Sequence, residues 1–267
     1  MKLNYDIVID YIAGNKIDKY KNCWFFNTEG LCFKEPSYNE KHRKSVEKLL
    51  NEVRHCIENF IPCNVEIWNE LFGNWKAILD DVNINLIVGY PEPFDATVLK
   101  APDNKMNVVL DLGVWTKYEN KTNISDLVHN LLTHELCHIC IGKLINSIDD
   151  DLESDNYHTQ MDAISFHEGF AHLVAFDNKN IDEVNWESEE WQKVKQKSKE
   201  IMKLALCETK QEKQKKYLHD AFCGSYKEKF ACMCGMFYLV DCWHDKGIEG
   251  IKNEFKLGYE DFAKRCI

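Results

Sequence analysis

Along the first 80 residues apolar positions recur at helical spacing. Residues Tyr5 to Ala13 predict a helix ended by Gly14. Asn39 to Phe60 predicts a second one, carried by Val46, Leu49, Leu50, Val53 and Ile57 and stopped by Pro62. Val65, Ile67, Trp68, Leu71, Phe72, Trp75 and Ile78 fit a third helical face, with an interruption at Gly73. The period then changes. Val82, Ile84, Leu86 and Val88 alternate strictly, Gly89 to Pro93 is a turn or loop, and Met106 to Leu112 is a second β-rich run. From Asn123 to Gly142 the helical period returns. Leu127, Leu131, Leu132, Leu136, Ile139 and Ile141 make this helix apolar on most sides, Ser125 or Asp126 can cap its start, and no proline interrupts it. Asp182 to Lys216 reads as a charged helical segment with Trp186, Trp191, Val194, Ile201, Leu204 and Leu206 facing inward. Phe230 to Trp243 is a buried helix ending near Gly247, and helices over Ile248 to Phe255 and Tyr259 to Cys266 close the chain. Helices and strands are thus segregated, which predicts an α+β fold with a small mixed sheet.

The helix of residues 123–142 carries His-Glu-x-x-His at His134, Glu135 and His138. Residues four apart share a helix face, so both imidazoles can close on one ion while Glu135 stands beside it. Zinc chemistry uses this spacing: two histidines and a third ligand leave one position for water, and the adjacent carboxylate takes that water's proton. A buried helix must also satisfy these polar groups, and a metal would do so together. The competing reading is a pair of hydrogen-bonded core histidines with Glu135 at the surface.

A second motif, Ser165-Phe166-His167-Glu168-Gly169-Phe170-Ala171-His172-Leu173, puts Glu168 30 positions after His138. On a helix His172 lies about 40° round from Glu168, and His167 about 100° to the other side. Glu168 and His172 therefore share a face, and Gly169 and Ala171 permit close helix packing. Together the two motifs resemble the gluzincin metallopeptidases, including their smaller zinc-dependent members. The resemblance covers roughly residues 80 to 250, with only the motifs specific. It implies a zincin-like fold in which the sheet lies next to the His-Glu-x-x-His helix, and zinc held by His134, His138 and Glu168. Glu135 would be the general base, and the substrate a peptide or protein. In such enzymes a downstream Tyr or His steadies the oxyanion, which implies Tyr226 first, with His219, Tyr238 and His244 behind it. The interval from His138 to Glu168 is longer than in the best-known gluzincins, and no Gly-Ala-Met-Glu-Asn exopeptidase motif precedes it. Metzincins require glycine and histidine where this chain has Ile141 and Leu144, which excludes them. On this reading residues 1–267 form a single catalytic domain: a helical N-terminal layer (1–80), the sheet and metal-site helices (81–175), and a helical C-terminal part (176–267).

Composition narrows the partners. A net charge of −11 argues against nucleic-acid binding through phosphates and against a polybasic membrane surface. The run Asp149 to Asp151 lacks the spacing and glycine of a calcium loop and reads as a solvated acidic loop. No apolar stretch is long enough to span a bilayer. Asp6 and Asp10 interrupt any targeting pattern at the start, so the twelve cysteines read as free thiols in the cytoplasm. Two other functions compete: a non-catalytic binding protein that keeps the zincin fold, against which an intact Glu135 counts, and a cysteine-rich metal or redox sensor built on Cys137-x-x-Cys140 and Cys232-x-Cys234.

Overall fold

A computed structural model describes residues 1–28, 30–91, 96–119 and 121–267. Its strands are β1 (Lys2–Asn4), β2 (Asn83–Ile87), β3 (Ala96–Lys100) and β4 (Met106–Asp111). Before the sheet's central strands come α1 (Asp6–Ile12), α2 (Glu40–Glu58), α3 (Val65–Phe72) and α4 (Trp75–Ile78). After them come α5 (Leu112–Trp115), α6 (Ile124–Leu144), α7 (Ile148–Leu152) and α8 (Tyr157–Ala175). The last are α9 (Glu189–Leu206), α10 (Gln211–Phe222), α11 (Phe230–Lys246), α12 (Ile248–Leu257) and α13 (Phe262–Arg265). The molecule is α+β and mostly helical. Among the described residues no helix is long and apolar enough to cross a membrane. The part of the predicted Gly89 to Pro93 turn beyond Pro91 lies outside the described residues.

The chain forms two compact units, residues 1–61 with 76–136, and residues 62–75 with 137–267; α6 is one continuous helix that belongs to both. The first unit holds the sheet, in the order β1-β2-β4-β3, with β1, β2 and β4 parallel and β3 antiparallel to β4. Both faces of β2 are covered: Ile84, Leu86 and Ile87 are all buried, and so is Asn85, whose amide donates to Asn107 Oδ1 at 2.9 Å. Two polar groups on neighbouring strands thus satisfy each other inside the core. The run Lys2 to Asn4 was expected to lie in a purely helical layer and is instead β1, and β3 joins as an edge strand. Neither short run carries an alternating pattern of its own, so ladder pairing decides both. Beside α1 and α5, α2 buries the five apolar residues its spacing marks, and Asn39 caps it by accepting the His42 N–H at 2.8 Å. Asp111, wholly buried at the end of β4, accepts N–H groups from Gly89, Tyr90 and Val114 at 2.6–2.9 Å.

The second unit is built round α8 and α11. Gly169 and Gly235 let these two helices touch main chain to main chain; a Cβ on Gly169 would stand 2.9 Å from Gly235 Cα. Phe166, Phe170, Phe255 and Phe262 fill the space beside that crossing with mutually tilted rings. Asn64, in the left-handed conformation before α3, donates to the carbonyls of Val174 and Lys179 and accepts from Ile181 N–H. It thereby ties the start of α3 to the end of α8. The predicted charged segment is two helices, because Glu208 turns its carboxylate onto the N–H groups of Thr209 and Lys210 and ends α9. The acidic run contains α7, whose Ile148 is buried, and Asp151 accepts from the Tyr259 hydroxyl.

Candidate metal centre

The His-Glu-x-x-His stretch lies wholly in α6, as its periodicity predicts. The cap, however, is Asn123, whose side chain accepts from the N–H groups of Ser125 and Asp126 at 3.0 and 3.4 Å. That choice places Ser125 and Asp126 inside the first turn. Leu132, Leu136, Ile139 and Ile141 are buried, and His134, Glu135 and His138 are half-buried. His134 stands one turn before His138 on the same helix.

On α8 the burial is nearly continuous. From Met161 to Phe176 every residue is buried except Glu168, which keeps 20% of its side chain exposed. A carboxylate at the one open position between Met161 and Phe176 must have partners of its own. Its Oε1 lies 3.5 Å from Nε2 of His138, and its Oε2 lies 3.3 Å from Nδ1 of His172 and 3.7 Å from the Cys232 thiol. The first of these is too long for a good hydrogen bond, yet it is close to the separation of about 3.3 Å between two ligand atoms on a tetrahedral zinc. Nδ1 of His172 also reaches the Glu168 carbonyl at 2.9 Å. It therefore donates there, and Nε2 is the acceptor of the neutral ring.

His167, a helix-wheel outsider by sequence, joins the cluster through α6. Its ring lies 4.1 Å from that of His138, and its Nε2 meets the His138 carbonyl at 3.3 Å. His138, His167 and Glu168 each offer a ligand atom, all within 4.8 Å of one another, so they can hold a metal ion. Desolvation lowers the pKa of His167, which favours the neutral ring that a ligand or a donor to a backbone carbonyl requires.

Of the four residues considered for oxyanion support, Tyr226 alone has a described ring contact with a residue of this cluster, 5.2 Å from His172 between ring centres. It is 43% exposed; desolvation raises the pKa of its hydroxyl, and Glu168 is among the charges that add to the shift. His219 is exposed and bonds Asp220, and His244 is exposed as well. Tyr238 packs its ring on Phe262. The Gly169–Gly235 crossing brings Cys232 to the Glu168 carboxylate, a neighbour that its Cys-x-Cys pattern does not mark. Cys137 and Cys140 are buried in α6, and burial pushes both thiols up, Cys140 to about 12. All twelve cysteines are free.

Comparison with known proteins gives no match: no family model, no curated sequence and no solved structure matches this chain. The class of the protein is therefore argued from the residues of α6, α8 and α11 alone.

Proposed function

We propose that this protein is a zinc-dependent hydrolase of peptide or amide bonds, of the gluzincin type. The observation that carries the reading is the approach of Glu168 on α8 to His138 on α6, at 3.5 Å between the two ligand atoms. Two motifs 30 positions apart in sequence would have no reason to present a carboxylate to an imidazole at ligand spacing if each were ordinary core packing. The donor set that the two motifs imply, His134, His138 and Glu168, would be the His₂Glu set that leaves a position open for water.

A zinc ion bound there would lower the pKa of a water toward neutrality and polarise the scissile carbonyl. Glu135 follows His134 directly on α6, so it stands beside the ligands without being needed as one. It takes the proton from the attacking water and later gives it to the leaving amine. The Tyr226 hydroxyl, kept protonated by its raised pKa, donates to the oxyanion that develops on the carbonyl. His172 donates its Nδ1 hydrogen to the Glu168 carbonyl one turn earlier on α8.

The test is metal analysis of protein purified without added metal, followed by turnover of a mixed fluorogenic peptide set. About one zinc per chain is expected. Glu135→Gln should keep that zinc and lower the hydrolytic rate by about 10²–10⁴-fold, the usual worth of a positioned acid–base group. A chain that neither carries nor takes up zinc would overturn the proposal, as would unchanged turnover in the Glu135→Gln protein.

A further inference from the structure

The two oxygens of Glu168 have different surroundings. Oε1 faces Nε2 of His138, whereas Oε2 has the His172 imidazole at 3.3 Å and the Cys232 thiol at 3.7 Å. The single Nδ1 hydrogen of His172 is given to the Glu168 carbonyl at 2.9 Å, so of these two neighbours it is the thiol that has a hydrogen to offer Oε2. Cys232 owes its place to main-chain packing. It lies one turn before Gly235 on α11, and Gly235 meets Gly169, the residue after Glu168, with no side chain between them. Its sulfur is fully buried, and the other acceptor within reach is the Ala221 carbonyl at 3.5 Å. One thiol hydrogen serves one acceptor at a time, and an ionised carboxylate is the stronger of the two.

We propose that Cys232 is a positioning residue for Glu168: its thiol holds Oε2, so that Oε1, the oxygen facing His138, is turned to the metal. The inference rests on the reading of Glu168 as a metal ligand and adds how that ligand is held. Monodentate binding keeps the site four-coordinate, with one place left for water. Without the thiol, Oε2 would lose a hydrogen donor, and bidentate binding by the carboxylate would compete for that place.

The experiment compares Cys232→Ser, which keeps a donor, with Cys232→Ala and Cys232→Val, which remove it, the valine preserving volume. Zinc dissociation constants are measured by competition with a chromophoric chelator, and ligand-field absorption is recorded with cobalt(II) in place of zinc. Loss of an outer-shell partner typically weakens metal binding about 10–100-fold, so the alanine and valine proteins should weaken by about tenfold or more. Their cobalt absorption should fall as coordination rises above four, and the serine protein should restore both readings toward wild type. Thermal unfolding confirms that each variant is folded, and either donor-free variant suffices if the other is not. Unchanged affinity and spectrum in a folded donor-free variant would overturn the inference, and so would a serine protein that behaves like alanine. In both cases Glu168→Ala still strips the metal, so the metal-site reading stands. A wild-type protein that binds neither ion removes that reading and the inference with it.

Discussion

Glu168 joins two demands that rarely coincide at one residue: it lies in a helix otherwise buried from Met161 to Phe176, and it carries a charge. The surroundings answer with an imidazole on each side and a thiol, and the metal proposal gives Oε1 its partner. The roles of the neighbouring histidines follow from which atoms they already use. His172 spends Nδ1 on Glu168, and His167 spends Nε2 on the His138 carbonyl. On the metal proposal both would then be supports. Glu168→Ala should abolish stoichiometric zinc binding, whereas His172→Ala and His167→Ala should retain the ion with affinity lowered by about 10–100-fold. Dissociation constants for the three proteins decide it. Zinc lost from His172→Ala but kept by Glu168→Ala would instead make this a three-histidine site.

Among the elements, those with a long, one-faced pattern are where the sequence puts them. α2 buries Val46, Leu49, Leu50, Val53 and Ile57 as its spacing dictates, and α11 buries Phe230 to Phe237 without a break. The crossing of α8 and α11 was only partly legible. Small residues at 169 and 171 announce a close approach, but not the partner. Gly235→Ala tests the contact, because its Cβ would strike the Ser165 carbonyl and the Gly169 Cα. Overpacking of this kind costs about 1–3 kcal/mol, so the variant should unfold earlier in urea by that amount. Since α11 also carries Cys232, zinc affinity should fall with it. A variant as stable as wild type would show that the helices part there without penalty.

At the scale of the whole molecule, acidity is the clearest property. The net charge is −11, and many acidic groups sit in exposed ion pairs that contribute little to stability. Asp111 differs. It is fully buried, and desolvation raises its pKa from 3.8 to about 6 despite the N–H groups of Tyr90, Val114 and Gly89 that oppose the shift. A carboxyl that binds its proton more tightly when folded favours the folded state at low pH, and this contribution is lost as pH rises through about 4 to 6. A shift of two units corresponds to roughly 3 kcal/mol. Relative to Asp111→Asn, wild type should therefore lose about that much unfolding free energy between pH 4 and pH 7. Parallel stability curves for the two proteins would show that Asp111 does not titrate in this range.

The sequence by itself determined the α+β class, the positions of α2, α6 and α11, and the placing of His134, Glu135 and His138 on one helix, because helix period is a local property of the chain; Glu168 became a candidate only through the resemblance. Only the tertiary structure decided the rest. Lys2–Asn4 and Ala96–Lys100 are strands because β2 and β4 offer them ladder partners, and no local pattern carries that information. Asn85 is buried because Asn107 meets it from the next strand. Cys232 and His167 stand beside the candidate ligands because helices far apart in sequence cross there: α11 packs on α8 at two glycines, and His138 of α6 lies against α8. Spacing along a chain fixes which side chains share a face, whereas their partners across a packed interface depend on where that face comes to rest.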